Sequence, residues 1–478
     1  MSNADKYDVL VLGSGAGGKS IAWAMAREGK RTAVVERKLI GGSCPNIACL
    51  PSKNVIHTAK VASLFARREE FGILTGPIAI DMAGVYERKH KMVEGLIQLH
   101  LDLYRTSGAE LILGNGRFIG PRTLQVELRD GGERVVTGER VFVNVGTHAT
   151  IPGIPGLAES RPMTHIEALD LERLPEHLVV LGGGFVGIEL AQAMRRFGSR
   201  VTLIARGPQL ASREDADVGQ AILQLFQDEG IEVLLRTEVL NVKGVSGESV
   251  HLEIQSERGT RTIEGTDILV ALGRTPNTRG IGFEKAGIEI TANGHVQVNE
   301  RLETTAPNVW AIGECAGSPY FTHIAWDDFR IVHENLKGGN RSTRDRLIPY
   351  CVFTDPPLAR VGLNESEARS ADISYRLASM PMEAVLRTRT LSETRGFMKM
   401  LIDGHSDRIL GFTAFGPEAG ELMGTVQVAM MGGLPYTTLR DAVFTHPTMT
   451  EGFNFLFENI VDGRARDAEK RAYTPAFV

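Results

Sequence analysis

The sequence predicts an α/β chain in which two parallel βαβ units are followed by a separate α+β domain. Three observations carry that expectation. Short continuous apolar runs end in glycine clusters at residues 13–18 and again at 182–187. Each cluster is followed by a helical pattern and a further apolar run. From about Pro349 onward no such cluster recurs, while apolar strands and long helical patterns such as residues 419–431 continue. At 478 residues the chain is also too long for one core, and ~100–200 residues per domain gives about three or four.

In the first unit, Val9-Leu10-Val11-Leu12 lacks polar alternation, the mark of a strand buried on both faces. Gly13-Ser14-Gly15-Ala16-Gly17-Gly18 follows, then a helical pattern over residues 21–26, then Thr32-Ala33-Val34-Val35 ending at Glu36. The grammar returns after Leu174-Pro175: Leu178-Val179-Val180-Leu181, the glycines 182, 183, 184 and 187, a helix over 188–197 and a strand over 201–204. Both units read as Rossmann-like dinucleotide-binding domains. A strand at 141–146, followed by Pro152 and Pro155, puts the first boundary near residue 150. A strand at 268–272 runs into Gly273-Arg274-Thr275-Pro276-Asn277 and leaves the second unit, and residues 308–314 form a strand returning to the first. The expected organisation is 1–150, 151–277, 278–348 as a return to the first domain, and 349–478.

Composition narrows the class. With 42% hydrophobic and 23% charged residues, and no run of ~18 apolar residues, the chain reads as soluble, with no membrane partner. The polar start Met1-Ser2-Asn3-Ala4-Asp5-Lys6 lacks a signal-peptide pattern, so cytoplasmic residence is expected. A net charge of −5 with mixed signs gives no reason to expect nucleic acid. The densely charged residues 464–471 read as a solvated tail. Four cysteines are too few for a disulfide scaffold, and in a reducing compartment a close pair such as Cys44 and Cys49 points to catalysis or metal binding.

Gly13, Gly15 and Gly18 have G-x-G-x-x-G spacing: a tight turn, a close backbone approach to a pyrophosphate, and close helix packing. Glu36 then stands where a carboxylate accepts from ribose hydroxyls; otherwise it is a solvated acid at a strand end. Gly182, Gly184 and Gly187 repeat the spacing. Glu36 lies 18 residues beyond Gly18, and the same step from Gly187 lands on Ala205, followed by Arg206 and, further on, Arg213. Cations in place of the acid favour a 2′-phosphate, hence NADPH over NADH, unless both arginines are merely exposed.

Cys44 and Cys49 lie in Gly41-Gly42-Ser43-Cys44-Pro45-Asn46-Ile47-Ala48-Cys49-Leu50-Pro51-Ser52-Lys53. Residues five apart on a regular helix have Cα atoms roughly 9 Å apart, beyond the ~7 Å reach of a disulfide. Pairing therefore needs a distorted helix start. Pro45 discourages helix between the cysteines, and Pro51 suits a first turn, so a helix is expected to begin near Cys49 and to favour its thiolate. A zinc site, for which His57 completes no familiar spacing, and two unpaired core cysteines are the competing readings.

The cysteine segment, both glycine clusters, Ala311-Ile312-Gly313-Glu314 and Thr445-His446-Pro447-Thr448-Met449-Thr450-Glu451 together resemble the class I pyridine nucleotide-disulfide oxidoreductases, in order and over almost the whole chain. The resemblance implies an FAD domain, an NAD(P) domain and a C-terminal dimerisation domain, with Cys44–Cys49 as a redox-active disulfide. Cys44 would be the thiol that attacks substrate and Cys49 the flavin-side thiol. Lys53 would sit by the flavin and pair with Glu189 beside the nicotinamide, with Phe185 at a gate often filled by tyrosine. Gly42, Ser43, Gly146, Gly273 and Gly313 would be further cofactor-binding positions, joined by Thr322 and Ala325 at a flavin-facing helix start. Glu314 departs from the family's usual aspartate by one methylene. His446 and Glu451 match an acid–base pair that works in the partner subunit's active site, which implies a homodimer with shared sites. No resident metal site is expected, and Cys315 and Cys351 read as ordinary buried cysteines.

Within the family, residues 201–206 and 213–215 resemble the NADPH site of mercuric reductases, but residues 467–478 contain no cysteine pair for handing over the metal, and no N-terminal heavy-metal domain is expected. Residues 321–332 and 355–362 resemble the reactive-chlorine-resistance flavoproteins, relatives implicated in copper(II) reduction. The expected activity carries electrons from NADPH through FAD to Cys44–Cys49 and on to a disulfide, a metal ion (mercury or copper) or another oxidant. Dihydrolipoamide dehydrogenase or glutathione reductase-like activity, and a redox-sensing flavoprotein with little turnover, are the alternatives.

Overall fold

The computed structural model describes residues 4–76 and 78–463. The charged segment 464–471 and residues 467–478, with their lack of cysteine, lie outside the described residues.

Residues Val9, Leu10, Val11 and Leu12 are buried because strand Asp5–Leu12 lies inside its sheet, parallel to Thr32–Glu36 on one side and to Glu133–Val143 on the other. Glu110–Gly120 and Val309–Ala311 extend the parallel layer at its two edges. The two long strands Glu110–Gly120 and Glu133–Val143 run out of that layer and pair with Thr123–Leu128 antiparallel between them. Helix Ala16–Arg27 buries Ile21, Ala22 and Met25 in one stripe and packs with Ile331 and Val332 of helix Thr322–Asn335. Val309–Ala311 is what brings the chain back to this sheet after the second unit.

The second unit has parallel strands in the order Asp267–Val270, His177–Leu181, Arg200–Ile204, Glu232–Leu234, and a three-stranded antiparallel sheet formed by Glu238–Val245, Ser249–Ser256 and Gly259–Gly265. Where the chain enters and leaves this unit, Thr147–Ala149 and Arg274–Pro276 pair antiparallel. The third region is a six-stranded antiparallel sheet, with Tyr350–Val352 and Ile460–Asp462 at its edges. Helix Ala419–Met431 packs on it through Leu422, Val426 and Ala429, leaving Val428 and Met431 69% and 71% exposed.

One expectation is amended. Pro45 does not keep its segment out of helix: Ser43–Asn46 is a short helix with Pro45 in its first turn, where a missing N–H costs nothing. The chain breaks at Ile47 and Ala48 and restarts as helix Cys49–Ala66, so the two cysteines stand on successive helical segments.

The second and third regions are clamped by a buried lysine. Lys399, fully buried on strand Phe397–Asp403, donates to Asp215 at 2.7 Å, Asp217 at 2.9 Å and Glu365 at 3.0 Å. Burial opposes charge on Lys399, but the three carboxylates outweigh it and raise its pKa. Conversely, burial works against the Asp215 carboxylate, and Lys399 more than compensates, holding the carboxyl below its ordinary value. Lys399→Met should strand buried acids and cost about 3 kcal/mol or more, read as a lower guanidinium midpoint by tryptophan fluorescence. The Asp215 contribution is present above the unfolded carboxyl value of ~3.9 and disappears as pH falls through the lowered folded value. An unchanged midpoint at neutral pH in the variant contradicts this account.

Candidate functional site

Both glycine clusters turn into helix N-termini that open on one cavity. Helix Ala16–Arg27 starts after Gly15 and helix Phe185–Phe197 after Gly184; neither has a side-chain cap or an acid in its first turn, so backbone N–H groups stay available to an anion. Gly13 at φ +97° and Gly182 at φ +121° occupy the left-handed region, and a Cβ there would strike the carbonyls of Asn144 and Ala271. The second glycines differ. Gly184 faces open space, whereas a Cβ on Gly15 would meet the Asn144 side chain, and one on Gly42 would stand 2.5 Å from Gly15 Cα. At Gly15 the protein's own packing thus demands glycine, beyond any approach to a pyrophosphate. Asn144 accepts from Gly18 N at 3.0 Å and donates to Ile312 O at 2.7 Å, tying the first cluster to Gly313.

Glu36 is buried and occupied on both oxygens. Ser14 N (2.9 Å) and Ser14 Oγ (2.7 Å) donate to one, Lys38 N (2.7 Å) and Leu39 N (2.9 Å) to the other. Its carboxylate therefore closes the glycine loop onto the next turn as well as presenting an acid at the strand end. Glu314 is also engaged: it accepts from Thr147 Oγ1 and pairs with Arg274 Nε at 3.4 Å, while Arg274 donates to Thr147 Oγ1 at 2.6 Å. Gly146 and Gly273, at φ +65° and +112°, precede the two short paired strands that carry Thr147 and Arg274.

Cys44, on the short helix, and Cys49, at the start of the long one, are free thiols hydrogen-bonded to each other. Cys49 Sγ also lies 3.3 Å from Thr322 Oγ1, at the N-terminus of helix Thr322–Asn335, next to which Ala325 is buried. The hydrogen bond from Cys44 does most to lower the Cys49 pKa, to about 6, helped by Thr322 and Lys53 against burial and Glu314. The same hydrogen bond, with burial, pushes the Cys44 thiol up. One thiolate is thus favoured, on Cys49.

Lys53, one turn after Cys49, donates to Glu189 Oε2 at 2.8 Å, and Glu189 Oε1 accepts from Phe353 N at 2.7 Å. Phe185 stacks on Tyr350 at 5.5 Å. A cavity of about 2350 Å³ is lined by Ser43, Cys44, Cys49, Lys53, Gly184, Phe185, Glu189, Gly273, Glu314 and Thr322. That exceeds the ~300–1,000 Å³ of an ordinary small-molecule pocket.

Two sets of expected residues stand apart. Arg206 and Arg213 are both exposed, and only Arg213 lines the cavity. His446 Nδ1 and Glu451 pair at 2.9 Å, but the imidazole is 61% exposed and outside that cavity, so a single chain does not bring it to Cys44.

Several positions escaped sequence reading. Gln192 and Arg196 share a stripe with Glu189 and hold Asp355: Asp355 N donates to Gln192 Oε1 at 2.8 Å and Arg196 Nη1 to Asp355 Oδ2 at 2.5 Å. Glu189, Gln192 and Arg196, polar at helical spacing on a mostly apolar helix, were the available signal. Glu214, whose pKa burial raises against Arg360, accepts from Tyr350 Oη; nothing local distinguishes it from a surface acid. Arg236 N donates to Gly207 O at 3.0 Å, bringing a further arginine beside the Ala205 turn through long-range contact alone.

Residues 7–328 match the model of the pyridine nucleotide-disulphide oxidoreductases, and residues 348–456 that family's dimerisation domain. The chain is 34% identical to the probable pyridine nucleotide-disulfide oxidoreductase RclA of Escherichia coli, over 95% of this chain and 99% of that one. It is 35% identical to the mercuric reductase of Acidithiobacillus ferrooxidans, over 94% and 82% of the two chains. With the dihydrolipoamide dehydrogenase of Chaetomium thermophilum it shares 31% identity, over 95% and 90%. A solved Cu(II) complex of the HOCl-induced flavoprotein disulfide reductase RclA from Escherichia coli superposes with a TM-score of 0.86 at 33% identity, covering 95% and 99%.

Cys44→Ala should move thiolate formation at Cys49 upward by a unit or more, toward the free-thiol value of ~8.5, since the dominant hydrogen bond is lost. Ultraviolet thiolate absorbance of the reduced protein against pH checks it; a Cys49 midpoint that stays near the parent's contradicts the assignment.

Proposed function

The chain belongs to the pyridine nucleotide-disulphide oxidoreductases, and we propose that it uses NADPH to reduce a Cys44–Cys49 disulfide and passes the electrons to a metal ion, copper(II) foremost, or to another thiol oxidant. The observation that carries this reading is the single cavity joining the cysteine pair of the first unit to Gly184, Phe185 and Glu189 of the second. When bound, FAD supplies the two-electron link between nicotinamide and thiols. The uncapped N-terminus of helix Ala16–Arg27, the crowded Gly13–Asn144 turn and the buried Glu36 fit its pyrophosphate and ribose. Thr322 and Ala325 stand where the flavin-facing helix begins.

The protein's own groups divide the remaining work. The Lys53–Glu189 pair keeps a cation between the Cys49 helix and the second glycine cluster. Thr322 steadies Cys49 as the thiolate, leaving Cys44 to attack the oxidant. In net terms NADPH and one proton convert the disulfide to two thiols. These return to the disulfide as two electrons and two protons leave: to two Cu(II), giving two Cu(I) with both protons released to solvent, or to one substrate disulfide, giving two thiols. Copper is put first because the superposed relative was solved as a Cu(II) complex. Exposed Arg213 on the cavity wall and Arg206 beside Ala205 support a 2′-phosphate and hence NADPH. Exposed Val428, Met431 and Val443, together with the exposed His446, support a homodimer in which His446 and Glu451 serve the partner's Cys44. Cytoplasmic residence suits thiols that must be re-reduced.

Steady-state NADPH oxidation with Cu(II), Hg(II), lipoamide and oxidised glutathione tests the reading: Cu(II) should turn over, and Cys44→Ser should reduce that turnover at least a hundredfold. Absence of turnover with every oxidant overturns it in favour of a redox sensor. Arg206→Ala with Arg213→Ala should raise KM for NADPH about tenfold or more while sparing NADH, the loss of charge-assisted phosphate contacts; parallel changes for both cofactors contradict the assignment. For the shared site, Cys44→Ser and His446→Ala protomers, each inactive alone, should regain activity when co-expressed as heterodimers, and failure to regain any speaks against it.

A further inference from the structure

Against the cavity wall near Cys44 stands a cluster that the two-cysteine chemistry leaves unused. Lys19, in the first turns of helix Ala16–Arg27, has its Nζ 2.5 Å from Nε2 of His100 on helix Met82–Ser107 and 3.3 Å from Gly41 O. His100 Nδ1 lies 2.5 Å from Leu96 O. A carbonyl only accepts, so Nδ1 carries the ring proton and Nε2 presents a lone pair to the lysine. Two of the three ammonium protons are then held, and the third is left to the cavity that Lys19 and Cys44 both line.

The arrangement is built in. Gly41, at φ +89°, has the His100 ring 2.9 Å from where a Cβ would stand, so only glycine lets the imidazole reach under the loop that leads to Cys44. Trp23 covers the same imidazole at 5.8 Å. Burial draws the Lys19 pKa down to about 8, and Cys44 is the group that opposes that fall.

We propose that Lys19, anchored by His100 and the Gly41 carbonyl, is a positioning residue for Cys44 of its own subunit, its ammonium stabilising the Cys44 thiolate. The proposal rests on the reading of Cys44 as the substrate-facing thiol. It answers the imbalance between the two thiols: the Cys49 hydrogen bond and burial raise the Cys44 pKa, and Thr322 and Lys19 are the groups that counter them. Lys53 and Glu314 act on Cys49 instead. Lys19 would therefore let Cys44 ionise as the oxidant arrives.

The test is the pH profile of Cys44 carbamidomethylation by iodoacetamide, which forms the S–C bond and expels iodide, in NADPH-reduced holoenzyme, with each cysteine quantified by peptide mass spectrometry. Lys19→Met should move the Cys44 profile up by about one pH unit, tenfold slower labelling at neutral pH, while Lys19→Arg keeps the parent rate there. His100→Asn should slow labelling in the same direction, and carries the test if Lys19→Met does not fold. A Cys44 profile in Lys19→Met or His100→Asn that overlays the parent's overturns the proposal and leaves the Cys44–Cys49 reading standing. Loss of flavin in Lys19→Met, with a Cys44 profile that overlays the parent's once both proteins are reduced with dithiothreitol, overturns it too, assigning Lys19 to the cofactor. If NADPH makes neither cysteine of the parent alkylatable, the two-cysteine reading fails and the proposal falls with it.

Discussion

The buried carboxylate of Glu189 constrains the rest of the site. It sits on helix Phe185–Phe197, where every residue from Gly187 to Met194 is buried, so its charge must be met inside the protein. Lys53 comes from the cysteine-bearing helix and Phe353 N from the edge of the third region. Gln192 and Arg196 continue the grip on Asp355 along the same stripe, and Lys60, two turns beyond Lys53, reaches Asp355 at 3.0 Å. A helix turned by one residue, about 100°, would carry all three polar groups away from their partners. The ion pair thus sets how the thiols of one unit face the glycine cluster of the other.

Around the thiols, charge is distributed unequally. Cys49 has a helix start, the Thr322 hydroxyl and the Lys53 ammonium; Cys44 has the burden of hydrogen-bonding to Cys49. The same few contacts that make one sulfur an easy thiolate make the other reluctant, which separates the two thiols without any difference in residue type. On the cavity wall, the Arg213 carbonyl is held by Asn364 Nδ2 at 3.0 Å, and Glu214 and Asp215 are buried against the third region. The arginine on the cavity wall is therefore presented by a clamp between the second and third regions rather than by a free loop.

Much of this was legible in the linear chain. The two glycine clusters announced their helix N-termini because a left-handed turn admits little else, and the Ala205 position stood out because an acid was missing from a repeated pattern. Glu189 and Lys53 were singled out, and the structure pairs them. Other features were misread or invisible. Pro45 looked like a helix breaker, yet it occupies a first turn, where its missing N–H has no partner to lose. Gly15 was read for a close backbone approach to a pyrophosphate, and the packing of Asn144 and Gly42 that also demands glycine there had no local signal.

Local backbone chemistry and hydrophobic period are properties of neighbours in sequence. For that reason the sequence by itself determined the parallel units, their glycine turns, the helix beginning at Cys49 and the residue types able to carry redox and nucleotide chemistry. Partner choice among distant polar groups is a property of packing. Which carboxylate closes on Ser14, which acids Lys399 neutralises, that Lys19 meets His100, and that His446 stays exposed away from the cavity were decided only when separate segments were buried together. Burial makes an unpaired charge costly, and that cost is felt only in three dimensions.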